Sequence, residues 1–236
     1  MAPVPPLLLL WDIDGTLLQR ASLEHAQALR RALLEVHGEL ELDGYQVEKA
    51  GRTDAAIARD LLVAAGLAPP AIDARADDVL AACCEAYEEL CPPDLSPRVA
   101  PGIPEVLAAL AGRPDDYRFS LVTGNFELVA RLKLDRAGIG RFFPAGQGGF
   151  GSDAEDRDRL PPIARVRAGP PAWPRERTVV IGDTPRDIAC ARADGVRVIA
   201  VATGPFPIEA LAGADAVVGS AGALPPVLED LRSAGS

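Results

Sequence analysis

The stretch Leu7–Leu18, LLLLWDIDGTLL, decides how the rest of the chain is read. An uninterrupted apolar run, Leu7 to Trp11, meets two carboxylates two residues apart and then Gly15 and Thr16. The run has the length and composition of a strand buried on both faces, as in a covered parallel sheet. Asp12 and Asp14 do not belong in such a strand, because an unpaired buried carboxylate would sooner take up a proton. At i and i+2 in extended backbone they project to the same side, and Gly15 lets the chain turn sharply away. A plain turn accounts for Asp14–Gly15, since Asp-Gly is good turn chemistry. It does not account for Asp12 directly behind an apolar strand.

Working outward, Phe119–Val122, Thr178–Ile181, Val196–Val201 and Ala216–Val218 repeat the pattern of short apolar runs bounded by Gly, Pro or polar residues. Helical periodicity lies between them, over Ile103–Ala111, Glu127–Ala137, Pro185–Ala193 and Ile208–Leu211. Alternating strand and helix predicts an α/β fold, a Rossmann-like, doubly wound parallel sheet. From Ala21 to Leu90 the pattern is helical only, in Leu23–Val36, Ala55–Ala65 and Ile72–Leu90, and Cys91–Gly102, CPPDLSPRVAPG, reads as a linker back to the sheet. The expected division is a core of residues 1–18 and 98–236 with a small helical domain at 19–97. Gly146–Pro162, GQGGFGSDAEDRDRLPP, reads as a Gly-rich loop passing into a charged segment and is expected to stay out of the core.

Ligands of such sheets gather outside the carboxyl ends of the strands, and three strands here end in polar clusters. The first ends in DIDGT, the second in TGN (Thr123–Asn125), the third in GDTPRD (Gly182–Asp187). Asp183 would stand beside Asp12 and Asp14 if its strand is their neighbour. Carboxylates crowded in this way are tolerable around a hard divalent cation, and Mg2+ suits an all-oxygen site using one or two carboxylates. Thr123 offers a hydroxyl, and the amides of Gly124 and Asn125 open a helix whose N-terminus can hold a phosphate; Asn125 as an ordinary helix cap is the competing reading. Thr184 fits an N-cap and Pro185 the first helical position, so Asp187, three residues on, completes a capping box. That leaves Asp183 as the metal ligand and Asp187 as its supporting neighbour.

Bulk properties set the frame. The 236 residues are 48% hydrophobic and 25% charged, an ordinary globular balance. A net charge of -10 argues against nucleic acid or an anionic membrane as partner. Cys83, Cys84, Cys91 and Cys190 show no metal-binding spacing and read as free, mostly buried thiols. His25 and His37 share one helix, where a surface or structural role is expected. The N-terminal MAPVPPLLLLW lacks a basic leader region, and its apolar run is too short to cross a membrane, so a cytoplasmic location is expected.

Taken in order, these motifs resemble the haloacid dehalogenase superfamily: DIDGT its first motif, VTGN its second, GDTPRD its fourth. The helical insert resembles a type-1 cap, as in phosphoglycolate phosphatase and β-phosphoglucomutase. The resemblance implies that Asp12 is a nucleophile taking the phosphoryl group, and that Asp14 is general acid and then base. It implies that Thr123 and nearby amides hold phosphate, and that Asp12, the Asp14 carbonyl and Asp183 bind Mg2+. The third motif, a lysine before Pro-x-Pro, has no clear counterpart. Arg157 in DRDRLPP and Lys133 are rivals for its place; Lys133 lies about 12 Å along its helix at ~1.5 Å per residue, so a surface lysine is its alternative reading. In EKAGRTD (Glu48–Asp54), Arg52 or Lys49 would meet the far end of a substrate, with Thr53 as a helix cap. Asp14 argues against a true dehalogenase or a phosphonoacetaldehyde hydrolase, which lack it. The expected function is a phosphatase of a small phosphorylated metabolite. Its rivals are a phosphomutase of a small sugar phosphate and a catalytically silent binding or regulatory relative.

Overall fold

A computed structural model of the chain describes residues 6–42, 44–45, 47–169 and 171–234. The beginning of the N-terminal stretch and the outer ends of the expected core segments, at residues 1 and 236, lie outside the described residues. Among the described residues six strands form one sheet: β1 (Leu7–Trp11), β2 (Tyr117–Thr123), β3 (Gly149–Phe150), β4 (Thr178–Gly182), β5 (Arg197–Val201) and β6 (Ala216–Val218). Every pairing is parallel, and the order is β3-β2-β1-β4-β5-β6. This is the expected Rossmann-like sheet, with β1 at its centre.

The helices are α1 (Leu23–His37), α2 (Asp54–Ala64), α3 (Pro69–Asp73), α4 (Ala76–Leu90), α5 (Ile103–Ala111), α6 (Glu127–Arg136), α7 (Leu160–Ala168), α8 (Pro185–Asp194) and α9 (Leu224–Ala234). The two-residue period of β1 sorts its side chains between two layers. Leu7, Leu9 and Trp11 pack with Leu107 of α5, Leu134 of α6 and Leu228 of α9. Leu8 and Leu10 face the other way, onto Ala164 of α7 and Ile188 and Ala191 of α8. Burial on both faces explains why the strand shows no polar alternation. The insert is helical, as expected: Ala28, Leu29, Ala32 and Leu33 of α1 pack with Val79, Cys83 and Ala86 of α4, and these join the cluster under one face of the sheet.

Three expectations are corrected. Gly146–Pro162 is not outside the core: it contributes β3, with Phe150 fully buried, and then enters α7. Its glycines are what permit this, since a Cβ at Gly149 would collide with the Leu160 carbonyl. The third insert helix is interrupted at Ala74–Arg75 and becomes α3 and α4. Ile208–Leu211, hemmed in by Pro205 and Pro207, is one turn of 3-10 helix. The cysteines are free, three of them buried and Cys84 half-buried. No helix among the described residues is long and apolar enough to cross a membrane.

Candidate active site

The strand order reverses between β1 and β4, because the chain builds outward first through β2 and β3 and then through β5 and β6. Such a switch point opens a crevice at the carboxyl ends of the strands. Trp11 is paired with Ile181, and the Asp12 amide donates to the Ile181 carbonyl at 2.9 Å. The ladder thus runs one bond past β1 and brings Asp12 alongside Asp183. A cavity of about 510 Å3 opens there, walled by Asp12, Asp14, Asp183, Arg157 and Gly124 from the sheet side and by α1 and the Lys49–Asp54 loop from the insert.

On one side of this cavity, Asp12, Asp183 and Asp187 each present an oxygen within 4.8 Å of the others, and all three are buried. Arg157 Nη2 donates to Asp12 Oδ1 at 3.0 Å and also to Asp187 Oδ1. The second oxygen of Asp187 accepts from the Thr184 amide (3.0 Å) and hydroxyl (2.7 Å), completing a capping box on α8. Asp183 Oδ1 accepts from Thr16 Oγ1 at 3.2 Å, while its Oδ2 is buried and has no hydrogen-bond partner. Gly15, at φ +95°, is the residue this requires: a side chain there would collide with the Asp183 carboxylate.

Burial, reinforced by the neighbouring Asp187 charge, pushes the Asp12 carboxyl up to about 7. Burial and the charges of Asp12 and Asp187 push Asp183 up to about 8. Three carboxylates, a single guanidinium and an orphaned buried oxygen form an oxygen-only donor set short of positive charge. Such a set fits a hard divalent cation.

Asp14 faces a different environment. Lys133 Nζ, fully buried, lies 2.6 Å from Asp14 Oδ2 and 2.9 Å from Oδ1. Asn125 Nδ2 donates to Asp14 Oδ2 at 2.9 Å, and Asn125 Oδ1 accepts from Lys133 at 2.8 Å. Burial alone would raise the Asp14 carboxyl, but the Lys133 ammonium holds it below the usual carboxylate range. The alternative of a surface lysine is therefore overturned. Side chains on a helix lean toward its N-terminus, and α6 begins only at Glu127, so Lys133 reaches back to the strand end. Of the two rivals, Arg157 is in the cavity wall and Lys133 sits behind Asp14.

Asn125 is not the helix cap. Its amide donates to Thr123 Oγ1 (3.3 Å), the Phe126 amide to Asp54 Oδ2 (2.7 Å) and the Glu127 amide to Ser152 Oγ (3.2 Å). The N-terminus of α6 is thus capped from elsewhere, in part by the insert. Thr123 is fully buried, outside the cavity wall, and Gly124 is in it. In the insert loop, Thr53 caps α2 through the Ala56 amide (3.1 Å) and donates to the Glu155 carbonyl (2.5 Å). Arg157 Nη1 reaches the Gly51 carbonyl at 3.1 Å. Arg52 lines the cavity but is ion-paired to Asp60, whereas Lys49 is exposed on the wall with no ion pair to a described residue.

Two residues at the site went unread in the sequence. His25 is buried between Lys133 Nζ (3.2 Å) and Asp54 Oδ2 (3.0 Å), not on the surface. The available signals were slight: His25 is one of two histidines, and Asp54 directly follows a cap.

The family model described as haloacid dehalogenase-like hydrolase matches residues 9–192, and one described as HAD-hydrolase-like matches 161–233. No curated protein matches the chain. Among solved structures it is similar to β-phosphoglucomutase from Clostridium difficile, at 15% identity and TM-score 0.66, over 98% of each chain. It is similar also to a predicted phosphoglycolate phosphatase from Haemophilus somnus 129PT, at 19% identity and TM-score 0.65, over 94% of this chain and 97% of that one. CbbY from Rhodobacter sphaeroides, solved with phosphate, shares 18% identity over 92% of this chain and 96% of that one, with TM-score 0.60. At these identities the likeness is one of fold.

Proposed function

The chain belongs to the haloacid dehalogenase-like hydrolase family, and from that premise we propose that it is a Mg2+-dependent phosphatase of a small phosphorylated metabolite, working through an aspartyl-phosphate on Asp12. The observation that carries this reading is the buried cluster of Asp12, Asp183 and Asp187, which holds one orphaned carboxylate oxygen at the sheet's switch point beside a cavity of small-molecule size. Residues 19–97 act as a cap over a core of 1–18 and 98–236.

Asp12 attacks the phosphorus, and the bond to the leaving oxygen breaks as that oxygen takes a proton from Asp14; Lys133 favours the ionised Asp14, and the negative charge of a bound phosphate beside it favours the protonated acid that this step uses. Asp14 then takes a proton from water, which attacks the aspartyl-phosphate and frees inorganic phosphate and Asp12. Dividing one displacement into two with proton transfer at each is a sound use of two carboxylates. Arg157 and the Gly124 amide hold phosphate oxygens, with Thr123 and Asn125 shaping the turn. When bound by Asp12, Asp183 and the Asp14 carbonyl, Mg2+ supplies positive charge that offsets the repulsion between nucleophile and phosphate. Asp187 keeps Arg157 in place, and Lys49, with no ion pair to a described residue, meets the far end of the substrate; Arg52, already paired, shapes the wall.

Phosphate release from p-nitrophenyl phosphate, with and without Mg2+, in wild type and Asp12→Asn, tests this. The expected result is metal-dependent turnover that the substitution abolishes. Turnover that survives in Asp12→Asn overturns the mechanism.

A further inference from the structure

Lys133 has three N–H bonds and three partners: the Asp14 carboxylate, the Asn125 carbonyl and His25 Nδ1 at 3.2 Å. An ammonium can only donate, so His25 Nδ1 is an acceptor and the ring's proton is on Nε2. That proton points at Asp54 Oδ2, 3.0 Å away. The carboxylate fixes the tautomer as second partners of functional histidines commonly do. Asp54 Oδ2 also accepts the Phe126 amide at 2.7 Å, and the Asp54 amide donates to the Gly124 carbonyl at 2.8 Å. The chain Asp54–His25–Lys133–Asp14 therefore crosses from the insert (α1 and α2) to the core (α6 and the β1 turn). His25 and Asp54 are 6% and 4% exposed and Lys133 not at all, and Asp14 is the end of the chain that opens most on the cavity.

The geometry points to His25 and Asp54 as positioning residues that tie closure of the insert to the placement of Asp14. With the insert seated, His25 occupies one N–H of Lys133 and leaves the others aimed at Asp14 and Asn125. Without His25 the ammonium has a spare donor in a buried site and turns to satisfy it, since an unpaired buried donor is costly. Asp14 then loses the fixed orientation that proton transfer needs. His25 and Asp54 act on Asp14 only through Lys133.

This inference rests on the phosphatase reading, and two probes of similar shape separate the two. Phenyl phosphate has a poor leaving group that needs the proton from Asp14, and p-nitrophenyl phosphate a good one that does not. With Mg2+ present, His25→Phe is expected to lower kcat/KM for phenyl phosphate by about tenfold or more, part of the 10²–10⁴ that acid–base help supplies. For p-nitrophenyl phosphate the loss is expected to stay within about threefold. His25→Asn, whose Oδ1 can stand in for Nδ1, is expected to recover most of the phenyl phosphate rate. Asp54→Asn, which keeps the volume, should show the same selective loss and serves if His25→Phe does not fold. Equal losses on both probes, no loss on either, or a His25→Asn variant no better than His25→Phe each overturn the inference and leave the phosphatase reading standing. A wild-type protein that turns over neither probe overturns that reading, and the inference with it.

Discussion

Asp12 and Asp14 are two residues apart, line one cavity and live in opposite electrostatic settings. Asp14 is paired directly: its carboxylate meets the Lys133 ammonium, and the Asn125 amide bonds to both. Its carboxyl is held low. Around Asp12, three carboxylates share the single guanidinium of Arg157, and one buried oxygen has no partner. Burial and like charge push Asp12 up to about 7 and Asp183 up to about 8. Asp14 has its counter-charge from the chain's own residues. The Asp12 half is short of positive charge, and that shortage is what a bound cation would meet. On the proposed mechanism, the same turn supplies a proton-handling carboxylate that is held still and a nucleophile that is left available.

The largest effect should come from breaking the paired half. Lys133→Met leaves the half-buried Asp14 without its counter-charge, and loss of one partner of a buried pair costs up to about 3–5 kcal/mol. Chemical denaturation should show that loss equally with EDTA and with Mg2+, because the damage lies behind the cavity wall. Arg157→Met strikes the other half at a similar about 3–5 kcal/mol in EDTA. Here, however, added Mg2+ should recover part of the stability, since a cation replaces some of the missing charge. Stability of Lys133→Met that responds to Mg2+, or of Arg157→Met that does not, would erase the distinction between the halves.

The two halves also differed in how far they could be read from the sequence. The Asp12 half is built from strand ends, where an apolar run stopping at a carboxylate is visible in one dimension. Asp12, Asp183 and the Thr184–Asp187 box stand at the ends of β1 and β4, and parallel pairing alone brings them together. The Asp14 half is built across helices. Lys133 is two turns into α6, His25 in the first turn of α1 and Asp54 at the start of α2; nothing in their spacing signals that they meet. The charged look of DRDRLPP misled in the same way. Arg157 is buried by its carboxylate partners, and Pro161 and Pro162 open α7, as a Pro pair in the first turn can. Burial of a charge is a property of its partners, and those are set by packing.

A smaller effect is expected at the capping box. Thr184→Ala removes the hydroxyl that caps α8 and bonds Asp187 Oδ2. A lost cap costs about 1 kcal/mol. Because Asp187 also holds Arg157, the variant should lower the thermal midpoint slightly and weaken phosphate inhibition, measured as the Ki of inorganic phosphate. An unchanged Ki would mean that Arg157 is held well enough by Asp12 and Gly51 alone.

The smallest change in stability is expected where a carboxyl is simply surplus. Asp183→Asn keeps the shape and the acceptor for Thr16, removes an ionisable carboxyl that burial, Asp12 and Asp187 already disfavour as a charge, and gives the orphaned position an amide that can donate. In EDTA its melting temperature should equal or slightly exceed that of wild type, although the residue is only 1% exposed, where most polar substitutions destabilise. The cost appears only with the cation. Wild type in Mg2+ at a hundredfold over Kd should gain about 2.7 kcal/mol by mass action, and the variant should gain far less. A clear loss of stability in EDTA would show that Asp183 has a structural duty the orphaned oxygen conceals. An undiminished response to Mg2+ would place the cation away from the β1–β4 switch point. The expected pair of results, indifference without metal and insensitivity to it, would identify the Asp12 half as a site whose stability was given up to leave room for a charge from outside the chain.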